Sequence, residues 1–112
     1  MSVVLQRETT EYIYIGLTGQ PPSVGAETAI LNAGIRPTEP DWDTAVVVDD
    51  QHALYQDAVT SQVPGDYYVA QLVGPFNANS VNPGPGDYQV WVRITDSVER
   101  PVRIAPRSLE IE

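Results

Sequence analysis

A chain of 112 residues has room for one hydrophobic core and therefore one domain. It contains no cysteine, so burial and the backbone ladder must hold it together without disulfides or thiolate-bound zinc. Its net charge of -9 argues against nucleic acid as a partner, because phosphate recognition needs clustered cations, and no apolar run approaches a membrane span.

Met1 to Leu5 runs straight into Gln6, Arg7 and Glu8. No apolar signal-peptide core forms, which predicts a protein made and used in the cytoplasm, or in an assembly that starts there. Val3 to Thr9 reads as a first strand. Glu11 to Leu17 is clearer: Ile13, Ile15 and Leu17 share one face while Tyr12 and Tyr14 share the other. With both faces apolar or amphipathic, this strand is expected to be covered on both sides. Ala26 to Leu31, bounded by Gly25 and Gly34, is too short for a stable helix and reads as a strand.

A proline-rich connection, Arg36 to Pro40, leads into Asp41-Trp42-Asp43. The aspartates suit a turn, and Trp42 is expected to plug the core. Asp41 and Asp43 with Asp49 and Asp50 could supply oxygen ligands, but their spacing does not match a calcium-binding EF-hand loop. Thr44 to Val48 is β-branched and reads as a strand. Gln51 to Val59 is the one fair helix, with Asp49 or Asp50 as cap and Ala53, Leu54, Ala58 and Val59 as its inner stripe. It carries the single histidine, His52. One histidine without an oriented partner is neither a general base nor a metal site, so no catalytic residue, metal ligand or cofactor is expected.

Asp66 to Val73 reads as a strand with Tyr67, Val69 and Val73 on one side and Tyr68, Ala70 and Leu72 on the other. A polar loop, Phe76 to Pro83, follows. Asp87 to Thr95 is the best-specified strand: Tyr88, Val90, Val92 and Ile94 form a core face, and Gln89, Trp91, Arg93 and Thr95 the opposite one. Val102 to Ala105 and Ser108 to Ile111 read as two short closing strands. Ten prolines and eight glycines, clustered between these segments, punctuate a small sandwich. Pro64-Gly65-Asp66-Tyr67 and Pro85-Gly86-Asp87-Tyr88 are near-repeats. Tyr88, two residues before a core position, fits the corner tyrosine whose hydroxyl bonds back to the upstream backbone in immunoglobulin-like sandwiches.

Cations are unevenly placed. Only Arg7 and Arg36 lie before residue 93, whereas Arg93, Arg100, Arg103 and Arg107 follow. Trp and Arg are enriched at interface hot spots, so Trp91, Arg93, Arg100, Arg103 and Arg107 are the candidate protein-contact residues. Packing of Trp91 beneath a crossing loop is the alternative role for that face. The N-terminal residues Ser2 to Thr9, as an arm or edge strand, are a second candidate for pairing with a neighbour.

Gly86-Asp87-Tyr88-Gln89-Val90-Trp91-Val92-Arg93-Ile94-Thr95-Asp96, followed by Glu99-Arg100-Pro101-Val102, resembles the closing strands of small immunoglobulin-like proteins of tailed bacteriophages, especially those infecting actinobacteria. Pro37-Thr38-Glu39-Pro40-Asp41-Trp42-Asp43-Thr44-Ala45 resembles the same group, in which a Trp followed by Ala starts a strand after a proline-rich connection. Together the segments span about two-thirds of the chain, from Thr28 onward. The resemblance implies an all-β fold, a single immunoglobulin-like antiparallel β-sandwich of about seven to eight strands. It implies a non-enzymatic virion protein, assembled in the host cytoplasm. Such a protein docks on capsid or head-to-tail connector as a minor capsid, decoration or neck component. Its partners would be other phage structural proteins and copies of itself. Tail or baseplate placement, or a carbohydrate- or receptor-binding module using Tyr12, Tyr14, Tyr67, Tyr68 and Trp42, is the alternative.

Overall fold

The computed structural model describes residues 2–61, 63–76, 80–96 and 102–112. Seven strands form in chain order: β1 (Ser2–Leu5), β2 (Glu11–Leu17), β3 (Gly25–Asn32), β4 (Asp43–Val48), β5 (Tyr67–Val73), β6 (Gly86–Thr95) and β7 (Val102–Ile111). One short helix, α1 (Tyr55–Thr60), precedes β5. A 3-10 turn covers Glu39–Asp41.

The strands follow the order β1-β7-β6-β3-β4-β5-β2, and β4 folds this ribbon on itself. Its first half, Asp43 to Ala45, pairs with β3. Its second half, Val46 to Val48, pairs with β5. A long sheet (β1, β7, β6, β3) thus faces a short sheet (β5, β2), with β4 at the corner. This is the all-β, immunoglobulin-like sandwich arrangement. The pairings are antiparallel except β1 with β7, where Ser2 to Leu5 run parallel to Ser108 to Ile111.

The alternation of β6 sets the core. Val90, Val92 and Ile94 are buried between the sheets with Ile13, Ile15, Ala26, Ile30, Val69, Val73, Leu109 and Ile111, and Tyr88 packs at the margin. One polar pair crosses this interior: Gln71 Nε2 on β5 donates to Thr28 Oγ1 on β3 at 2.7 Å. Both residues are buried, and the bond removes the cost of unpaired polar atoms there.

A second apolar layer lies outside the short sheet. Tyr14, Val48, Tyr68 and Ala70 pack against Ala58 and Val63, with Leu54 and Tyr55 beside them. β2 is therefore covered on both faces, as its sequence requires. At its end the chain passes so close that a Cβ on Gly16 would lie 1.9 Å from the Pro64 carbonyl oxygen.

The Tyr88 hydroxyl closes the turn before β6, lying 2.8 Å from the Pro83 carbonyl oxygen and 3.0 Å from that of Gly84. This is the corner that the Gly-Asp-Tyr spacing predicts.

Several local expectations are corrected. β1 stops at Leu5 because Thr9 N–H bonds to Gln6 O and turns the chain. The helix starts at Tyr55, not Gln51. Asp49 Oδ1 instead accepts from Gln51 N–H, and His52 Nδ1 accepts from Leu54 N–H, so both side chains stabilise turns that compete with helix. Ala58 is buried, but Ala53 and Val59 are exposed. The two closing strands are one continuous strand of ten residues, β7.

Candidate functional site

The outward face of the long sheet carries the most distinctive side chains. Ladder register places Glu27 opposite Arg93 and Ala29 opposite Trp91. Ala29 is fully buried. The connection from Arg36 to Trp42 crosses this face. Its 3-10 turn is held by Asp41, whose Oδ2 accepts from Thr38 N–H at 2.7 Å and from Thr38 Oγ1 at 3.0 Å.

Arg93 organises the cluster. Its Nε and Nη2 both donate to Glu27 Oε1, at 3.0 and 2.9 Å, and its Nη1 donates to Glu39 Oε1 at 2.8 Å. The guanidinium lies 4.6 Å from the centre of the Trp42 ring. Burial opposes its charge, but the hydrogen bonds it donates to Glu39 and Glu27 outweigh that and raise its pKa above the ordinary arginine value. Arg36 lies over the second indole, 5.7 Å from the centre of Trp91, within the range of a cation–π contact.

Between these groups is a cavity of about 300 Å³ lined by Arg36, Pro37, Thr38, Glu39, Trp42, Trp91 and Arg93. Arg36, Thr38 and Glu39 are exposed at its mouth. Trp91 is only 8% exposed, and its Nε1–H is buried without a hydrogen-bond partner among the described residues. Such a group costs about 1–3 kcal/mol when left unpaired.

Trp91 and Arg93 are thus packed under the crossing connection, and both form walls of the cavity. Arg103 sits opposite Val92 on β7. The side chains of Arg103 and Arg107, and all of Arg100, lie outside the described residues. Trp42, expected in the core, is half-buried on the outer face. Its partner Arg93 is distant in sequence, so no local pattern announces the pairing. Of the residues named for sugar stacking, Tyr14, Tyr67 and Tyr68 are 6%, 3% and 5% exposed, while Tyr12 and Trp42 are half-buried.

Many carboxylates are engaged within the fold. Asp57 accepts from the Tyr14 hydroxyl, Asp66 from Gly19 N–H and Asp96 from Ser23 N–H. Among the described residues, no group of three or more His, Asp or Glu gathers to hold a metal. Comparison of the chain with protein-family models, curated proteins and solved structures finds no match.

Proposed function

We propose that this chain is a non-enzymatic structural protein of a tailed-phage virion that docks on the capsid or head-to-tail connector through protein–protein contacts. One observation carries the reading. The two separate segments that resemble the phage group, Pro37 to Ala45 and Gly86 to Asp96, meet in space. Glu39 and Trp42 from the first close on Arg93 from the second. Residues from both segments therefore build one surface feature, while Val90, Val92 and Ile94 of the second segment also fill the core. That feature combines two indoles with arginine, the residue types that anchor protein interfaces. An open cavity of this size suits an inserted side chain from a neighbouring subunit.

The test is direct. Purified particles should contain the chain, and a cryo-EM reconstruction should place the outer face of β3 and β6 against another virion protein. Arg36→Glu should fold normally, because Arg36 is exposed, and should lower incorporation into particles. Absence of the protein from purified virions would overturn the assignment.

A further inference from the structure

We infer that Phe76 of one copy inserts into the cavity between Trp42 and Trp91 of a second copy, joining copies head to tail. This rests on the proposed reading of the cavity as a receptor for a neighbour's side chain, and it names that side chain.

Phe76 is the only phenylalanine in the chain. At 90% exposed it is the barest large apolar residue among those described; the next, Val24, is 68% exposed. Its backbone is nonetheless pinned. Phe76 N–H donates to Thr10 Oγ1 at 2.8 Å, and Gly74 N–H donates to Val81 O at 2.9 Å. Gly74 has a φ of 137°, which glycine adopts freely, and a Cβ there would lie 2.2 Å from the Thr9 carbonyl oxygen. The glycine thus lets the chain press against the connection between β1 and β2. The ring stands on a fixed base almost free of contacts, so little backbone order is lost when a partner buries it.

The cavity suits a ring. Two indoles and two guanidinium groups stand among its walls, around about 300 Å³, and each guanidinium lies near one indole. Aromatic rings pair edge-to-face with indoles and stack on guanidinium planes. Phe76 is exposed and is not part of the lining, so it does not fill the cavity of its own chain. A ring in one place and its receptor in another make a heterologous contact, in which each added copy presents the same two surfaces again.

Charge favours a second copy as the occupant. The chain carries a net charge of -9, so two copies repel over most of their surfaces. Arg36 at the cavity mouth offers the opposite sign. It is exposed and forms no ion pair among the described residues. On the inserting side, Glu11 is exposed, follows directly on the Thr10 that holds Phe76, and pairs with Val73 at the end of β5. Arg7 and Glu8 in the same connection balance each other, which leaves Glu11 as the net charge there. An acidic inserting side thus meets an arginine that is outside any ion pair.

The experiment is analytical ultracentrifugation of the purified chain over a concentration series. The parent should associate as concentration rises. Phe76→Ser should weaken association at least about tenfold, the ordinary scale for truncating an interface anchor. Arg36→Glu, on the receiving side, should weaken it likewise. The two variants mixed in equal amounts should regain association but stop at a dimer. Phe76 of the Arg36→Glu chain then meets the intact cavity of the Phe76→Ser chain, and no further contact is available. In ¹⁵N spectra of the parent, the tryptophan indole N–H signals should move with concentration, and those of Phe76→Ser should stay in place. Circular dichroism of each variant confirms the fold. The inference is overturned by a parent that stays monomeric, by unchanged association in Phe76→Ser, or by variants that mix without associating. It is also overturned by association that leaves both indole signals unmoved. A monomeric parent leaves the presence of the protein in virions untouched, and absence from virions leaves the association result standing, so the two readings fail separately.

Discussion

The two outer faces of this sandwich are covered by opposite means. Outside the short sheet, α1 and its flanks bring Ala58, Val63, Leu54 and Tyr55 onto Tyr14, Tyr68 and Ala70. Outside the long sheet, residues 36–42 are fastened through Arg93, two glutamates and two indoles. The first cover is mainly apolar, and among the described residues Asp57 on α1 ties it to the Tyr14 hydroxyl. The second leaves a cavity and an unpaired indole N–H. An apolar cover gains from every non-directional contact. A charged cover must satisfy directional bonds first, and space between those bonds remains. The outer face of the long sheet is therefore the less completely closed of the two at the crossing connection.

The sharpest way to break this contrast is Arg93→Ala. It removes the group that ties the crossing connection down and strands Glu27, whose side chain is 27% exposed. Breaking a buried pair costs roughly 3–5 kcal/mol. Partial exposure of both acids puts the expected loss near the lower end, about 3 kcal/mol. Chemical denaturation should show a lower midpoint with unchanged slope. Arg93→Met combined with Glu27→Gln and Glu39→Gln should recover most of that loss, because the charges are removed together. No recovery would mean that Arg93 stabilises mainly through its fit to Trp42.

On the apolar side, Gly16→Ala is the matching lesion. The added methyl would lie 1.9 Å from the Pro64 carbonyl oxygen, so the segment leading from α1 into β5 must lift away. The expected cost is about 1–3 kcal/mol, read as a lower melting temperature. Hydrogen exchange should show the loss concentrated in α1 and β2 rather than in β6.

Tyr14→Phe probes the polar tie of that cover to Asp57. Loss of the bond to Asp57 should cost about 1 kcal/mol. Burial, then the hydrogen bond and the charge of Asp57, raise the Tyr14 hydroxyl pKa well above its ordinary value. The folded state therefore holds this proton at pH values where the unfolded chain releases it. The stabilisation is fully present below about pH 10, the ordinary tyrosine value, and falls as pH rises toward the folded value. Unfolding followed across alkaline pH should show a shallower decline in Tyr14→Phe than in the parent.

How much of this was legible beforehand follows from which signals are local. Period-two alternation located β2 and β6 and the inward Val90, Val92 and Ile94, because strand faces are a property of neighbouring residues. The Tyr88 corner was legible for the same reason. The helix start was misplaced because Asp49 and His52 bond to the backbone two residues on, a competition invisible to an amphipathic pattern. The site was half legible. Trp91 and Arg93 stood out on their strand, but Arg36, Glu39 and Trp42 join them only through the crossing of the 36–42 connection. The Gly16 close approach is likewise a long-range event.

The smallest effect offers the finest test of the charged cover, because two carboxylates there serve one guanidinium under different conditions. Glu27 takes two donors on one oxygen and is 27% exposed at its side chain; Glu39 takes one donor and is 77% exposed. Solvent and salt screen the second far more than the first. Glu39→Gln should therefore change stability by less than about 1 kcal/mol, and Glu27→Gln should cost more. Raising salt should erase most of the Glu39 contribution while leaving that of Glu27 largely intact. Equal costs and equal salt responses would mean that the crossing connection lies tight enough to shield both carboxylates. The cavity would then be closed in solution, and the contrast between the two covers would disappear.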